Sequence, residues 1–232
     1  MKLESGMAAI VTGGASGLGR ASAEALAAAG FKVAIFDLNE EAGEAIAKDI
    51  GGLFCKVDIT SEESVLAGFE KARAAHGQER ACVHCAQVSK GGKTLSFNRE
   101  TGKFRRYTTD DFAFSAQGIL VASYRIASIS AEGMAAAGPL EDGVRGTIIL
   151  TAGAAGQDAQ IGQVGYGACK AGVNGLVLPM ARDLMDLGIR VNSIMPGIFA
   201  TPPMLAVKGR APAVFEGLAA PGPFPTRLGD AE

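Results

Sequence analysis

Short, nearly continuous apolar runs alternate along the chain with longer stretches in which apolar residues recur every three or four positions. The runs are Ala8–Val11 (AAIV), Lys32–Asp37 (KVAIFD), Leu53–Val57 (LFCKV), Ala81–Ala86 (ACVHCA), Thr147–Thr151 (TIILT) and Ile189–Ile194 (IRVNSI). Apolar runs of this kind predict strands buried on both faces of a sheet. Between them the spacing predicts helices: one after Gly19 that stops at Gly30, and one capped by Asn39 that runs through Ile50. A third opens at a capping box over Thr60–Glu63 and buries Val65, Phe69 and Ala72. Two longer helices are predicted over Thr109–Ala137, ended by Gly138-Pro139, and over Gln163–Leu187; Pro196-Gly197 closes the last strand. This alternation predicts an α/β fold, with a doubly wound parallel sheet between two helical layers in one domain over residues 1–232. No repeat, low-complexity tract or interdomain linker interrupts it.

Composition narrows the class. The chain has 232 residues, 48% of them hydrophobic, with 32 glycines and no tryptophan, which suits one globular domain with a sizeable core. A formal charge of −2 gives no global attraction to nucleic acid or to an anionic membrane. The first strand starts within a few residues of Met1, no apolar run approaches a membrane span, and four cysteines show no disulfide-framework spacing. A cytoplasmic protein is expected.

The candidate chemistry begins at Thr12-Gly13-Gly14-Ala15-Ser16-Gly17-Leu18-Gly19, between a buried strand and a helix. Glycine tolerates positive φ and lets the backbone approach a ligand, and the helix N-terminus beyond it suits a pyrophosphate. Asp37 ends the second strand roughly 20 residues further on, where a ribose-binding carboxylate belongs. Together these predict a Rossmann-type nucleotide site. Tyr166 and Lys170 stand at i and i+4 on one helix face, and a nearby cation would lower the phenol's pKa for proton transfer. Cys82-Val83-His84-Cys85 looks like half of a zinc site, but strand alternation sends the two thiols to opposite faces, so no metal is expected. Val88–Thr108 reads as a long polar loop with Lys90, Lys93, Arg99, Lys103, Arg105 and Arg106. It is either a solvated surface or a basic rim that attracts an anionic substrate, such as one on a phosphorylated carrier.

The segments TGGASGLG, FDL, VDIT, HCA, GQVGYGACK, LPMARDL, GIRVNSIMPGIFATP and PFPTRLGD resemble the classical short-chain dehydrogenase/reductase family over nearly the whole chain. Within it the chain is similar to the type 2 3-hydroxyacyl-CoA (hydroxysteroid) dehydrogenase group. The resemblance implies that Gly13, Ser16, Leu18 and Gly19 hold a pyrophosphate. It places Asp37 and Leu38 at the adenosine ribose and Asp58 and Ile59 at adenine. Cys85 and Ala86 would lie beside the cofactor, and Pro196, Gly197, Ile198 and Phe199 would close over the nicotinamide. Tyr166 would be the acid/base and Lys170 would assist it and bind the nicotinamide ribose. Asp37, with no basic residue in the glycine turn, implies NAD, since a 2′-phosphate would be repelled. A homodimer or homotetramer and an acyl-CoA or steroid-like substrate are implied as well.

Four positions depart from the family. Its active-site serine, thirteen residues before the tyrosine, is Gly153 here, and its helix asparagine is Ile119. Losing such a donor costs about 10²–10³-fold in rate. Gln87 replaces a glycine beside the cofactor, where a side chain either crowds it or adds a polar contact. The resemblance ends at Arg227–Asp230, where the family continues for about 30 residues with a helix and a last strand, so Ile189–Ile194 is expected at a sheet edge. Thr151, expected on the face of Gly153, and Gln160 and Gln163 are either substitute donors toward substrate or ordinary polar loop residues. The expected function is an NAD-dependent oxidoreductase interconverting a secondary alcohol and a ketone. The alternatives are an impaired family member that binds or scaffolds, or a non-redox enzyme using Tyr166.

Overall fold

In the computed structural model, which describes residues 4–201, 205, 208, 209, 215 and 228–231, the predicted strands form one parallel sheet. In chain order the elements are β1 (Ala8–Thr12), α1 (Gly17–Ala28), β2 (Lys32–Asp37), α2 (Glu40–Asp49), β3 (Leu53–Lys56), α3 (Glu62–His76) and β4 (Glu79–His84). A hairpin, β5 (Leu95–Asn98) and β6 (Lys103–Arg106), precedes α4 (Thr109–Ala116) and α5 (Ala122–Ala136). β7 (Gly146–Thr151), α6 (Val164–Asp183) and β8 (Ile189–Ile194) follow. The main sheet has the order β3-β2-β1-β4-β7-β8, so the winding reverses between β1 and β4. A crevice opens beyond the carboxyl ends of the strands at such a reversal.

The strand pattern decides the layers. Alternate residues of β1, β2 and β4 point to opposite faces. Ala9, Val11, Val33, Ile35, Ala81 and Val83 meet Ala23 of α1 and Ile46 of α2. Ile10, Ala34, Phe36 and Cys82 meet Val65 and Phe69 of α3, Ile126 of α5 and Val173 of α6. Phe36 and Phe69 pack edge to face, 5.4 Å apart at 90°, a pair worth about 0.5–1.5 kcal/mol beyond its buried area. Arg73 stacks 4.8 Å over Phe69 and neutralises the buried Glu79 through a 2.9 Å ion pair.

Local chemistry moves several boundaries. Asn39 caps α2 as expected, accepting Ala42 N–H at 3.2 Å. At α3 the cap is Ser61 rather than Thr60, because Thr60 is held by Asp58 Oδ1 through both its amide and its hydroxyl. The fourth strand runs from Glu79 to His84, which leaves Cys85 and Ala86 just past its end. α6 stops at Asp183 and a 3₁₀ turn over Met185–Leu187 completes the stretch; Pro179 sits inside the helix.

Two expectations need larger corrections. Val88–Thr108 is not all loop: Leu95–Asn98 and Lys103–Arg106 pair antiparallel, with the Phe97 and Phe104 rings 5.2 Å apart and tilted by 59° on the exposed ribbon. Scattered charges hid its two-residue alternation. The Thr109–Ala137 helix is interrupted by a π-helical segment, Gln117–Val121, between α4 and α5. This span is, by length and composition, also apolar enough to cross a membrane, which corrects the expectation that no run approaches that length; Ile119, Ala122, Ile126 and Met134 are buried in the protein core. β8 is the end strand of the sheet among the described residues. Pro202 and Pro223–Arg227, which contribute to the family resemblance, lie outside the described residues.

Candidate active site

The carboxyl ends of β1, β2, β4, β7 and β8 bring the predicted site residues together. Just past β1 stands Gly13 at φ +70°, and a Cβ there would lie 2.8 Å from the Ala86 amide nitrogen. Gly19 packs directly on the Gly13 carbonyl. Only glycine permits both the turn and this closeness. Ser16 is the N-cap of α1, yet its side chain caps nothing, and the first turn of α1 carries no acid. The helix therefore presents uncapped N–H groups beside exposed Ser16 and half-buried Leu18, an environment that suits an anion.

Asp37 reaches across this turn. Its Oδ2 accepts Ala15 N–H at 3.1 Å and its Oδ1 accepts Asn39 N–H at 3.0 Å. A carboxylate has about four acceptor sites, so two remain for hydroxyl donors. Leu38, next in sequence, is exposed. Asp58 lies past β3, its Oδ1 spent on Thr60. The Ile59 side chain is in the core and its carbonyl accepts Arg125 Nη1 at 2.8 Å. Asp58 and Ile59 can thus offer a ligand mainly backbone and the remaining carboxylate oxygen.

Tyr166 and Lys170 sit on the first two turns of α6. Lys170, 2% exposed, donates to the Thr151 carbonyl at 2.5 Å, and its Nζ lies 5.7 Å from the centroid of the Tyr166 ring. Burial pushes its pKa down to about 8, partly offset by the Cys85 and Cys169 thiols. The Tyr166 phenol is raised, not lowered: burial outweighs a hydrogen bond from the Gln87 side chain. The expected depression is absent because burial disfavours the ionised phenol. Gly153 stands beside both residues, with a Cβ position 3.7 Å from the Tyr166 oxygen.

The remaining polar candidates separate. Thr151 donates its hydroxyl to Cys85 Sγ at 3.4 Å. Gln163 Oε1 accepts Gln160 N–H at 2.9 Å inside the turn before α6. Gln160 Oε1 is buried with no hydrogen-bond partner among the described residues. Pro196 ties the far wall to the site through its carbonyl, which accepts Ala154 N–H at 2.9 Å. Beyond Gly197, Ile198 and Phe199 are held by a bridge to Gly229.

His84 carries a role that spacing could not show. Thr12 Oγ1 accepts Ala86 N–H at 3.2 Å and lies 2.7 Å from His84 Nδ1. Thr12 and Nδ1 share one hydrogen bond whose direction follows the ring's tautomer, and Nε2 is buried with no hydrogen-bond partner among the described residues. Burial, with the nearby Lys170 charge, pushes the His84 pKa down to about 3. A neutral His84 fixes Thr12, and Thr12 fixes the Cys85–Ala86 backbone beside the glycine turn. Cys82 and Cys85 join opposite cores, and no cluster of three potential metal ligands occurs among the described residues.

The base of the hairpin is joined to this site. Gly92 N–H donates to the Gly162 carbonyl at 2.8 Å, one turn before Tyr166. Lys90 pairs with Asp111 at 2.8 Å, whereas Lys93, Arg99, Lys103, Arg105 and Arg106 are exposed.

Comparison with known proteins agrees with this fold. The 3-hydroxyacyl-CoA dehydrogenase type-2 of Drosophila melanogaster is 42% identical over 223 residues, spanning 95% of this chain and 85% of that protein. The Homo sapiens protein of the same name is 38% identical over 227 residues, spanning 97% and 84%. The crystal structure of 3-hydroxyacyl-CoA dehydrogenase type-2 from Mycobacterium avium matches with a TM-score of 0.84 at 39% identity, covering 97% of this chain and 85% of that one. These relatives support an oxidoreductase. With residues 7–210 matching the short chain dehydrogenase family, the chain belongs to that family, whose members generally use NAD(P).

Proposed function

We propose that the protein is an NAD-dependent oxidoreductase that interconverts a secondary alcohol and a ketone, of 3-hydroxyacyl-CoA or hydroxysteroid type. The observation that supports this reading is the packing of Tyr166 and Lys170 beside Gly153 and Thr151 at the carboxyl end of β7, with the glycine turn and Asp37 at the carboxyl ends of β1 and β2 in the same sheet. Gly13, Ser16, Leu18 and Gly19 would hold the pyrophosphate on the uncapped α1 terminus. Asp37 would accept from the adenosine ribose hydroxyls, and its charge disfavours a 2′-phosphate. A bound nicotinamide would supply the hydride acceptor and donor. Tyr166 takes the hydroxyl proton as the alcohol becomes a ketone and returns it in the reverse direction. Lys170, held at the Thr151 carbonyl, would bind the nicotinamide ribose beside Tyr166. The exposed basic hairpin supports an anionic carrier on the substrate.

Exposed apolar residues on α4, α5 and α6, among them Phe112, Phe114, Tyr124 and Leu178, support self-association through these helices. The four free thiols support a reducing, cytoplasmic setting.

A second reading has its own support: Gly153 offers no hydroxyl and Ile119 no amide. On that reading the protein binds a dinucleotide and turns over weakly or not at all, serving as a binding or scaffold protein or using Tyr166 for a non-redox proton transfer. Calorimetric titration with NAD and NADH, with Asp37→Ala as control, tests the shared nucleotide site; binding that weakens in the variant is expected. An NAD-linked assay over acyl-CoA and steroid substrates then separates the readings. Turnover supports the dehydrogenase, and its absence across the panel favours the second.

A further inference from the structure

The first turn of α6 carries Tyr166 and is poorly equipped to hold itself. Gln163 at its N-cap makes no side-chain cap, since its Oε1 is taken by Gln160 N–H. Gly165 and Gly167 flank Tyr166 within the helix, where glycine is a poor residue. An uncapped turn of this composition frays unless a contact from elsewhere in the fold holds it. Tyr107, just past the β5–β6 hairpin, lies against it. A Cβ at Gly165 would come within 2.6 Å of the Tyr107 hydroxyl oxygen, and a Cβ at Gly92 within 2.6 Å of the ring. The ring is thus wedged between the base of the hairpin and the residue before Tyr166. Its hydroxyl lies 3.0 Å from both the Lys90 and Asp111 carbonyls and 3.1 Å from Oγ of Ser115, a fully buried residue of α4. Tyr107 N–H closes the hairpin on the Thr94 carbonyl at 3.1 Å, and Gly92 N–H reaches the Gly162 carbonyl at 2.8 Å.

We propose that Tyr107 is a positioning residue for Tyr166, its phenol clamping the uncapped first turn of α6 to the base of the hairpin and to α4. Glycine at 165 is what lets the clamp close, because a side chain there would occupy the place of the Tyr107 hydroxyl. The turn gives up local helix propensity for this contact, and the clamp supplies the order that propensity does not. Without the hydroxyl, the Lys90 and Asp111 carbonyls lose a shared donor, the wedge loosens and Tyr166 is no longer held in one place. The assignment rests on Tyr166 being the proton-transfer group proposed above.

Two substitutions test it from opposite sides. Tyr107→Phe removes the hydroxyl and keeps the ring, whereas Gly165→Ala improves helix propensity but drives a methyl group into the hydroxyl's place. A role confined to helix stability predicts opposite effects, and positioning predicts the same effect. The chain has three tyrosines, Tyr107, Tyr124 and Tyr166. With all three replaced by 3-fluorotyrosine, fluorine NMR follows the Tyr166 phenol, assigned by Tyr166→Phe. Both variants are expected to lower its titration midpoint by about half a pH unit or more, as water reaches a phenol that burial holds protonated. Both should also lower kcat by about 10–10²-fold and leave the cofactor KM unchanged, since the glycine turn and Asp37 are untouched. A midpoint unmoved in Tyr107→Phe, or moved in opposite directions by the two variants, overturns the assignment, as does an unchanged kcat in an active enzyme. Urea unfolding of each variant confirms that the fold is retained. If both midpoints fall while the parent protein shows no NAD-linked turnover, the proposed reaction falls and the Tyr107 clamp stands.

Discussion

A side chain at position 153 would face the Tyr166 hydroxyl at van der Waals distance, 3.7 Å from a Cβ to the oxygen. The backbone there is extended, with φ 169°, so any residue can adopt it. Gly153→Ser should therefore raise kcat for NAD-linked turnover by about 10²-fold, the usual value of one well-placed donor. Stability should stay within about 0.5 kcal/mol. Steady-state kinetics and urea unfolding of the same preparation check both; an unchanged kcat would show that the missing serine is not what limits the site.

Ile119 requires a different expectation. It is 1% exposed in the π-helical segment, and its carbonyl already accepts the Ser123 hydroxyl at 2.7 Å. An asparagine there replaces buried hydrocarbon with an amide that must find partners. Ile119→Asn should cost about 2–4 kcal/mol in chemical denaturation and should not by itself increase turnover. A neutral result would reveal a polar path to this position.

The His84 ring is neutral down to about pH 3, against an ordinary 6.5. Between those values the unfolded chain binds a proton that the folded chain does not, so stability falls as pH falls. From pH 7 to pH 5 this group should remove about 2 kcal/mol. His84→Asn keeps an acceptor for Thr12 and has no such proton. Urea midpoints at the two pH values should show a smaller acid loss in the variant; equal losses would reject the assignment.

Lys170 is a second buried base and its effect has the same sign. Its pKa falls from an ordinary 10.5 to about 8. The unfolded chain again holds the extra proton, so stability rises with pH between 8 and 10.5, and the full penalty is present below 8. Lys170→Met should gain about 1–3 kcal/mol at pH 7, flatten that rise and remove turnover. Measurements between pH 8 and 10 avoid ionisation of Tyr166, whose raised phenol titrates above its ordinary 10. A variant no more stable at pH 7 would mean the ammonium is solvated.

The six sheet strands, the helices between them and the glycine turn follow from the sequence because a strand buried on both faces must be apolar throughout and a tight turn must be glycine. Asn39 is legible as a cap for the same local reason. The hairpin was not, since its alternation has no core to face and both strands are exposed. Ser61 displaced Thr60 because Asp58 claims the threonine first.

By itself the sequence determined the layered α/β architecture, the Tyr166/Lys170 spacing, the Asp37 position and the substitutions at 87, 119 and 153, all of which depend on residue type and near-neighbour spacing. Tertiary structure decided what those residues touch. Lys170 bonds a carbonyl of β7, Thr151 meets Cys85, and His84 orders Thr12, each joining segments far apart in the chain. Such contacts depend on where strand ends converge and which groups lose water, and both are set only when the sheet is assembled.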